Sequence, residues 1–312
     1  LRQGHKMLIA GPSKAGKSFS LIEMSIAIAE GQKWLEWNCT QGKVLYVNLE
    51  LDRASCLHRF RDVYEAMGLQ PNNLQNIDIW NLRGKTVPMD KLAPKLIRRS
   101  LKKNYIAVII DPIYKVLTGD ENSADQMAHF TNQFDKVATE LGCSVIYCHH
   151  HSKGSQGNKK SMDRASGSGV FARDPDALID LVELDVTEEL IVQRINHTAC
   201  RIYQEALKTC NLGYYQEEVT LDDLQSAAIM RTHFERAVPD ILDRKPWMDK
   251  IEQARRAIEI STAWRVEGTL REFAKFKPIN MWFSYPVHFL DDSGVLADIQ
   301  LGEDTNGNNS PW

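Results

Sequence analysis

"MLIAGPSKAGKSF", Met7–Phe19, runs from an apolar strand-like approach through a glycine-rich turn into helical apolar spacing. Inside it "GPSKAGKS", Gly11–Ser18, fits the pattern G-x-x-x-x-G-K-[ST]. The pattern arises by chance in roughly one chain in a hundred of this length, and the strand before it and helix after it are the context that gives it meaning. Gly11, Pro12, Ser13, Lys14, Ala15 and Gly16 form a turn whose backbone amides curl around phosphate oxygens. Lys17 places a charge on the outer phosphates, Ser18 offers its hydroxyl to Mg²⁺, and Phe19 opens the helix. The alternative is a glycine turn that binds nothing.

Outward from this loop, short apolar runs alternate with helical patterns. "KVLYVNLE" (Lys43–Glu50), "YIAVIIDP" (Tyr105–Pro112) and "CSVIYCH" (Cys143–His149) are β-rich and too short for helices. Helical spacing covers Phe19–Glu30, Ala54–Met67, Asp90–Lys103 and Ala124–Leu141. Such alternation predicts an α/β fold with a mostly parallel, twisted sheet flanked by helices, and a site beyond the carboxyl ends of its strands. Residues 1–185 are expected to be the ATPase-type core and 186–260 a charged, helix-prone insertion broken at Gly213, Pro239 and Pro246. Residues 261–302 would supply the closing strands and 303–312 a polar tail. No internal repeat is evident, and the start at Leu1 predicts further sequence upstream.

The 312 residues carry 38 basic and 41 acidic side chains, so any nucleic-acid contact must come from a local patch rather than a global field. Six scattered cysteines without a CxxC pair suggest a reducing, cytoplasmic setting. No apolar run nears the ~20 residues that span a bilayer, so no membrane partner is expected.

A phosphate site needs a second acid for its metal, and Asp111 closes the apolar strand in "AVIIDP". Capping or turn duty is the competing role. Glu50, in "YVNLELD", ends the next strand after the loop's helix and can orient an attacking water across the strand tips, or be a solvated strand end. "CHHH", Cys148–His151, has a metal-site look, but successive strand residues face opposite ways and no distant Cys or His pair completes a tetrahedral set. Cys148 is expected to close the buried strand, with His149 or His150 over the phosphates and His151 as the first residue of the next loop. That loop, "SKGSQGNKKSMDRASGSG" (Ser152–Gly169), carries Lys153, Lys159, Lys160 and Arg164 without aromatics. Such a loop can track a nucleic-acid backbone, or be simply a solvated charged segment.

Taken in order, "GPSKAGKSF", "YVNLELD", "VIIDPIYKVLTGDEN", "CHHHSKG" and "RASGSGVFARDPDALIDL" resemble the RepA-type plasmid hexameric replicative helicases, within the RecA-like and DnaB-like P-loop ATPases. The resemblance covers residues 1–185, and "WRVEGTLREFAKFKPINMWFSYPVHFLDDSG" (Trp264–Gly294) is similar to that family's closing strands. It implies a RecA-like core assembled into a homo-oligomeric ring, a hexamer, with ATP and Mg²⁺ between subunits and single-stranded DNA in the channel. Lys17 and Ser18 take the phosphate and Mg²⁺ positions, Glu50 that of the catalytic glutamate and Asp111 that of the Walker B acid. His149 or His150 would sense the γ-phosphate. A subunit-bridging arginine is implied, with Arg173 the first candidate and Arg271 the second; Arg173 could instead be a surface arginine paired with Asp174 or Asp176. DNA would meet Gly119–Ser123 and the basic loop, and the insertion could dock a replication partner. A RecA-like nucleotide switch without unwinding activity is the alternative.

Overall fold

In a computed structural model, the protein is described over residues 1–151 and 172–299. Lys6–Gly11 (β1) is buried along its whole length, and its alternate residues serve two cores. Met7 and Ile9 face one; Leu8 and Ala10 face the other. Period-two alternation in which both faces are apolar is what a strand needs when helices cover the sheet on both sides.

The sheet has nine strands. Besides β1 they are Lys43–Asn48 (β4), Ile77–Asn81 (β5), Tyr105–Asp111 (β6), Ser144–His150 (β7), Ala177–Leu184 (β8), Thr262–Leu270 (β9), Ile279–Ser284 (β10) and Val287–Leu290 (β11). A separate two-stranded hairpin pairs Lys33–Trp34 (β2) with Trp37–Asn38 (β3). The large sheet runs β11-β10-β9-β8-β1-β7-β6-β4-β5. β8, β1, β7, β6, β4 and β5 are mutually parallel, and β10 and β11 form an antiparallel hairpin.

One core packs under Lys17–Glu30 (α1) and Arg53–Ala66 (α2), through Leu21, Ile22, Cys56, Phe60 and Val63. The other packs under Met89–Ser100 (α3) and Ala124–Leu141 (α4), through Leu92, Leu96, Phe130, Phe134 and Val137. Fully burying one such Leu, Val or Phe stabilises by about 1.5–3 kcal/mol. Helix ends follow local chemistry. Asp52 caps α2 by accepting from Ser55 N, Ser123 caps α4 by accepting from Gln126 N, and Gly31 and Gly142 end α1 and α4 in left-handed geometry.

The chain divides into two units. The first, residues 1–183 with 264–290 and 301–312, holds this sheet. The second, residues 184–263 with 291–300, is helical: Glu188–Cys210 (α5), Leu212–Glu218 (α6), Ala227–Ala237 (α7) and Ile241–Glu259 (α8). Its own core is Tyr203, Ala206, Leu207, Met230 and Phe234, with Tyr214, Tyr215 and Trp247 packed against it.

Some local expectations are corrected. Gly213 lies inside α6 and Pro246 inside α8, so neither breaks a helix. The breaks fall at Asn211 and at Val238–Asp240, where Asn211 and Asp240 side chains cap the next helix. "INMWFSYPVHFL" is two strands, since Tyr285-Pro286 turns the chain back on itself.

Candidate active site

The strand order positions the site. β7 lies between β1 and β6, so its tip separates the glycine loop from Asp111. Registers bring the ends level: Gly11 pairs with His150, Ala10 with His149, and Asn48 with Asp111. With strands about 4.8 Å apart, β1 and β6 are two spacings from one another. Ser18, on the first turn of α1, reaches over the gap and donates from Oγ to Asp111 Oδ1 at 3.1 Å. The loop itself uses two left-handed residues, Gly16 at φ +74° and Lys14 at φ +69°. The second is a conformation that costs a non-glycine residue on the order of 1–3 kcal/mol and clusters at ligand sites.

Lys17 is buried, and its Nζ donates to Gly11 O at 2.8 Å and Pro12 O at 2.7 Å. Burial lowers its pKa, opposed by the nearby Cys148 and Asp111. His150 Nδ1 lies 3.3 Å from the same ammonium. Burial, then Lys17, pushes the His150 pKa down, so the ring is neutral at neutral pH and Nδ1 is free to accept. His150 also sits 5.8 Å from the Tyr114 ring, and the Tyr114 hydroxyl donates to Glu50 Oε1 at 3.2 Å.

Asp111 gathers two further donors. Tyr46 Oη reaches Oδ2 at 2.5 Å and Cys148 Sγ reaches Oδ1 at 3.1 Å. Burial raises both pKa values and the Asp111 charge adds to the rise, so phenol and thiol stay protonated and donate. Three donors hold this carboxylate in one orientation.

Lys17, Ser18, Glu50, Asp111, His149 and His150 line one cleft of about 210 Å³. Glu50 is exposed, two residues past the end of β4, with its amide hydrogen-bonded to Asn48 Oδ1. His149 is 3 % exposed and 3.7 Å from Glu121 Oε2, and burial brings its pKa down to about 4. His151 is not a loop residue in character. Its side chain is buried, with Nε2 2.5 Å from the fully buried Asp180 of β8. Arg271 Nη1 pairs with Asp176 at 3.1 Å, and its Nη2 donates to the carbonyls of Arg173 and Asp174. Arg173 is exposed. Lys153, Lys159, Lys160 and Arg164 lie outside the described residues.

Several residues of the cleft carry no sequence signal. Phe283, from the β10–β11 hairpin, and Arg59, from α2, line it beside Phe19. The Phe19 ring is 5.6 Å from Phe283 and 5.3 Å from Tyr285, with the Arg59 guanidinium 4.9 Å above it. An aromatic run in a closing strand is consistent with ordinary core packing, and only folding brings it to the loop some 265 residues earlier.

A family model described as an AAA domain matches residues 1–156, half of the chain. The chain belongs to this AAA-domain family. Among solved structures it is similar to the ATPase domain of a helicase, at 13 % identity over 93 % of this chain and 86 % of that one, with a TM-score of 0.51. That likeness is one of fold: a large, mostly parallel sheet flanked by helices, as in RecA-like P-loop domains. For this AAA-domain chain the glycine loop is therefore the nucleotide loop of a P-loop ATPase. The donor set fits Mg²⁺, which takes few protein oxygens and keeps water and phosphate oxygens for the rest. Ser18 and Asp111 are two such oxygen donors, and no group of three or more His, Cys, Asp and Glu that could hold a metal occurs among the described residues. No helix among them is long and apolar enough to cross a membrane.

Proposed function

We propose that the protein is an ATP-driven motor on single-stranded DNA, a replicative helicase of a plasmid or mobile element, working as a homo-hexameric ring with ATP at its subunit interfaces. The observation that carries the reading is the convergence of Lys17, Ser18, Asp111, Glu50 and His150 in one cleft at the strand tips. Lys17 rests on its own loop carbonyls and would exchange them for phosphate oxygens, a charged acceptor worth about twice a neutral one. Ser18 and Asp111 would hold Mg²⁺, which when bound with ATP neutralises charge developing on the phosphates. Glu50 would orient the attacking water. The adenine would stack among Phe19, Phe283 and Tyr285, under the Arg59 cation.

Of the two histidines, His150 is the proposed sensor. It touches Lys17 on one side and Tyr114, the partner of Glu50, on the other, and it lies two residues before the basic loop. His149 is buried beside Glu121 within the Gly119–Ser123 segment assigned to DNA. Lys153, Lys159, Lys160 and Arg164 would grip the DNA backbone. Arg173 is proposed as the arginine given to the neighbouring subunit, because Arg271 is already committed to Asp176 and two carbonyls.

The test is ATP hydrolysis with and without single-stranded DNA at low salt, followed by unwinding of a forked duplex with Glu50→Gln as control. Stimulation by DNA and unwinding are expected; a hydrolysis rate indifferent to DNA would sink the motor reading. A second reading, a nucleotide-dependent switch that recruits a partner, is favoured by the helical unit, where Leu221, Ile241 and Leu242 are 81 %, 72 % and 76 % exposed. It predicts slow turnover, no unwinding, and partner binding lost when those three residues become serine.

A further inference from the structure

Gly16, Ser20 and Glu23 stand at i, i+4 and i+7, one stripe of the buried face of α1 running away from the nucleotide loop. An apolar residue would serve helix packing at each position. Ser20 and Glu23 are instead buried and polar, at 1 % and 3 % exposure. A buried carboxylate is costly unless something pairs with it. Here the partner is one residue of the closing hairpin. Glu23 Oε1 accepts from the His288 backbone N–H at 3.0 Å and from His288 Nδ1 at 2.7 Å, while Ser20 Oγ lies 3.3 Å from the same nitrogen.

Those contacts fix the ring. With a hydrogen on Nδ1, facing the carboxylate, the Nε2–Cε1 edge is turned toward the loop. A Cβ built on Gly16 would stand 2.8 Å from both of these atoms, and 3.2 Å from Phe283 Cε2. The imidazole therefore fills the space a side chain at Gly16 would take. Nε2 is buried and has no hydrogen-bond partner. Across the hairpin His288 pairs with Phe283, their rings 4.6 Å apart, and Phe283 lines the cleft.

We infer that His288, oriented by Glu23, is a positioning residue that seats the nucleotide loop against the closing hairpin. It holds Gly16, the hinge between the loop and α1, so that the first amides of the helix point at the phosphates. It also ties that hinge to Phe283 at the other end of the cleft. The inference rests on the proposed nucleotide site and adds a residue some 270 positions from the motif.

The test uses the full chain and the double variant Glu23→Leu/His288→Phe. Exchanging a buried polar pair for an apolar one of similar volume preserves folding in favourable cases, so the nucleotide-free melting temperature is the first check. The measured quantities are kcat and KM for ATP, and dissociation constants for a fluorescent ATP analogue and for inorganic tripolyphosphate. The expected result is a melting temperature within a few degrees of wild type, KM and both dissociation constants raised about tenfold, and kcat within about twofold. Wild-type affinity for both ligands in a folded double variant overturns the inference. So does weaker binding of the ATP analogue alone, which would place the effect at Phe283 and the base. Failure of the wild type itself to bind either ligand would instead overturn the nucleotide-site reading beneath it.

Discussion

The sheet unit and the helical unit are both stabilised by apolar cores, yet they treat polar groups in opposite ways. Among the described residues, every buried Lys, Asp, Glu, His, Asn, Gln, Ser and Thr belongs to the sheet unit; Lys17, Glu23, Asp111, His149, Asp180 and His288 are among them. The helical unit buries none. Its charges sit outside as i,i+4 pairs, such as Arg231–Glu235, Lys245–Asp249 and Arg255–Glu259. Burying an ionisable group costs several kcal/mol unless its partners are well placed, so a fold collects such groups where they do chemistry. The helical unit follows the ordinary pattern of a helix bundle, apolar inside and charged outside.

Substitutions can break or sharpen this contrast. The largest effect is expected from Lys17→Ala, which removes the only side-chain cation among the residues of the nucleotide loop that is buried; ATP hydrolysis should fall to background in a phosphate-release assay. Glu50→Gln should lower kcat by about 10²–10⁴-fold, the usual contribution of a positioned base, while ATP-analogue binding stays near wild type. In the other unit, Phe234→Ala empties a fully buried site and should cost about 3–5 kcal/mol of stability. Turnover per bound nucleotide should nevertheless hold, and a parallel loss of kcat would erase the contrast.

Smaller effects follow from pH and from surface charge. The His149 pKa lies near 4 when folded against an ordinary value of 6.5. The unfolded chain therefore binds the extra proton between those values, and stability rises with pH across that window. Full stability is present above about pH 6.5 and is lost as pH falls toward 4. His149→Gln should flatten that part of a melting-temperature profile. Smallest of all, Arg255→Ala in the helical unit removes an exposed pair and should change stability by only about 0.3–0.5 kcal/mol.

Much of the sheet unit is legible in the sequence because its signals are local. The α4 boundaries at Ala124 and Leu141 coincide with the observed helix, since Ser123 caps one end and Gly142 the other. The central strands announce themselves as Val- and Ile-rich runs. β5 does not: "IDIWN" is half-buried throughout and lies at the sheet edge, so it lacks the apolar density of its neighbours. The β2–β3 hairpin is too short to carry a period. His151 reads as a loop residue in the sequence because nothing near it hints at Asp180, 29 positions away.

The motif Gly11–Ser18 and the acid closing the β6 run are chemistry written within a few residues of chain, and their amide and side-chain geometry follows from local backbone preferences. Sequence alone therefore determined that there is a nucleotide loop, an acid at a strand tip, and a parallel sheet to hold them. Only the tertiary structure decided that Tyr46 and Cys148 would orient Asp111, that His150 rather than His149 would touch Lys17, and that His288 would lie against Gly16. The reason is physical. A buried polar group takes whichever partner the folded chain brings within about 3 Å, and which strand tip or hairpin arrives there depends on the order of strands in the sheet, a property no local window of residues contains.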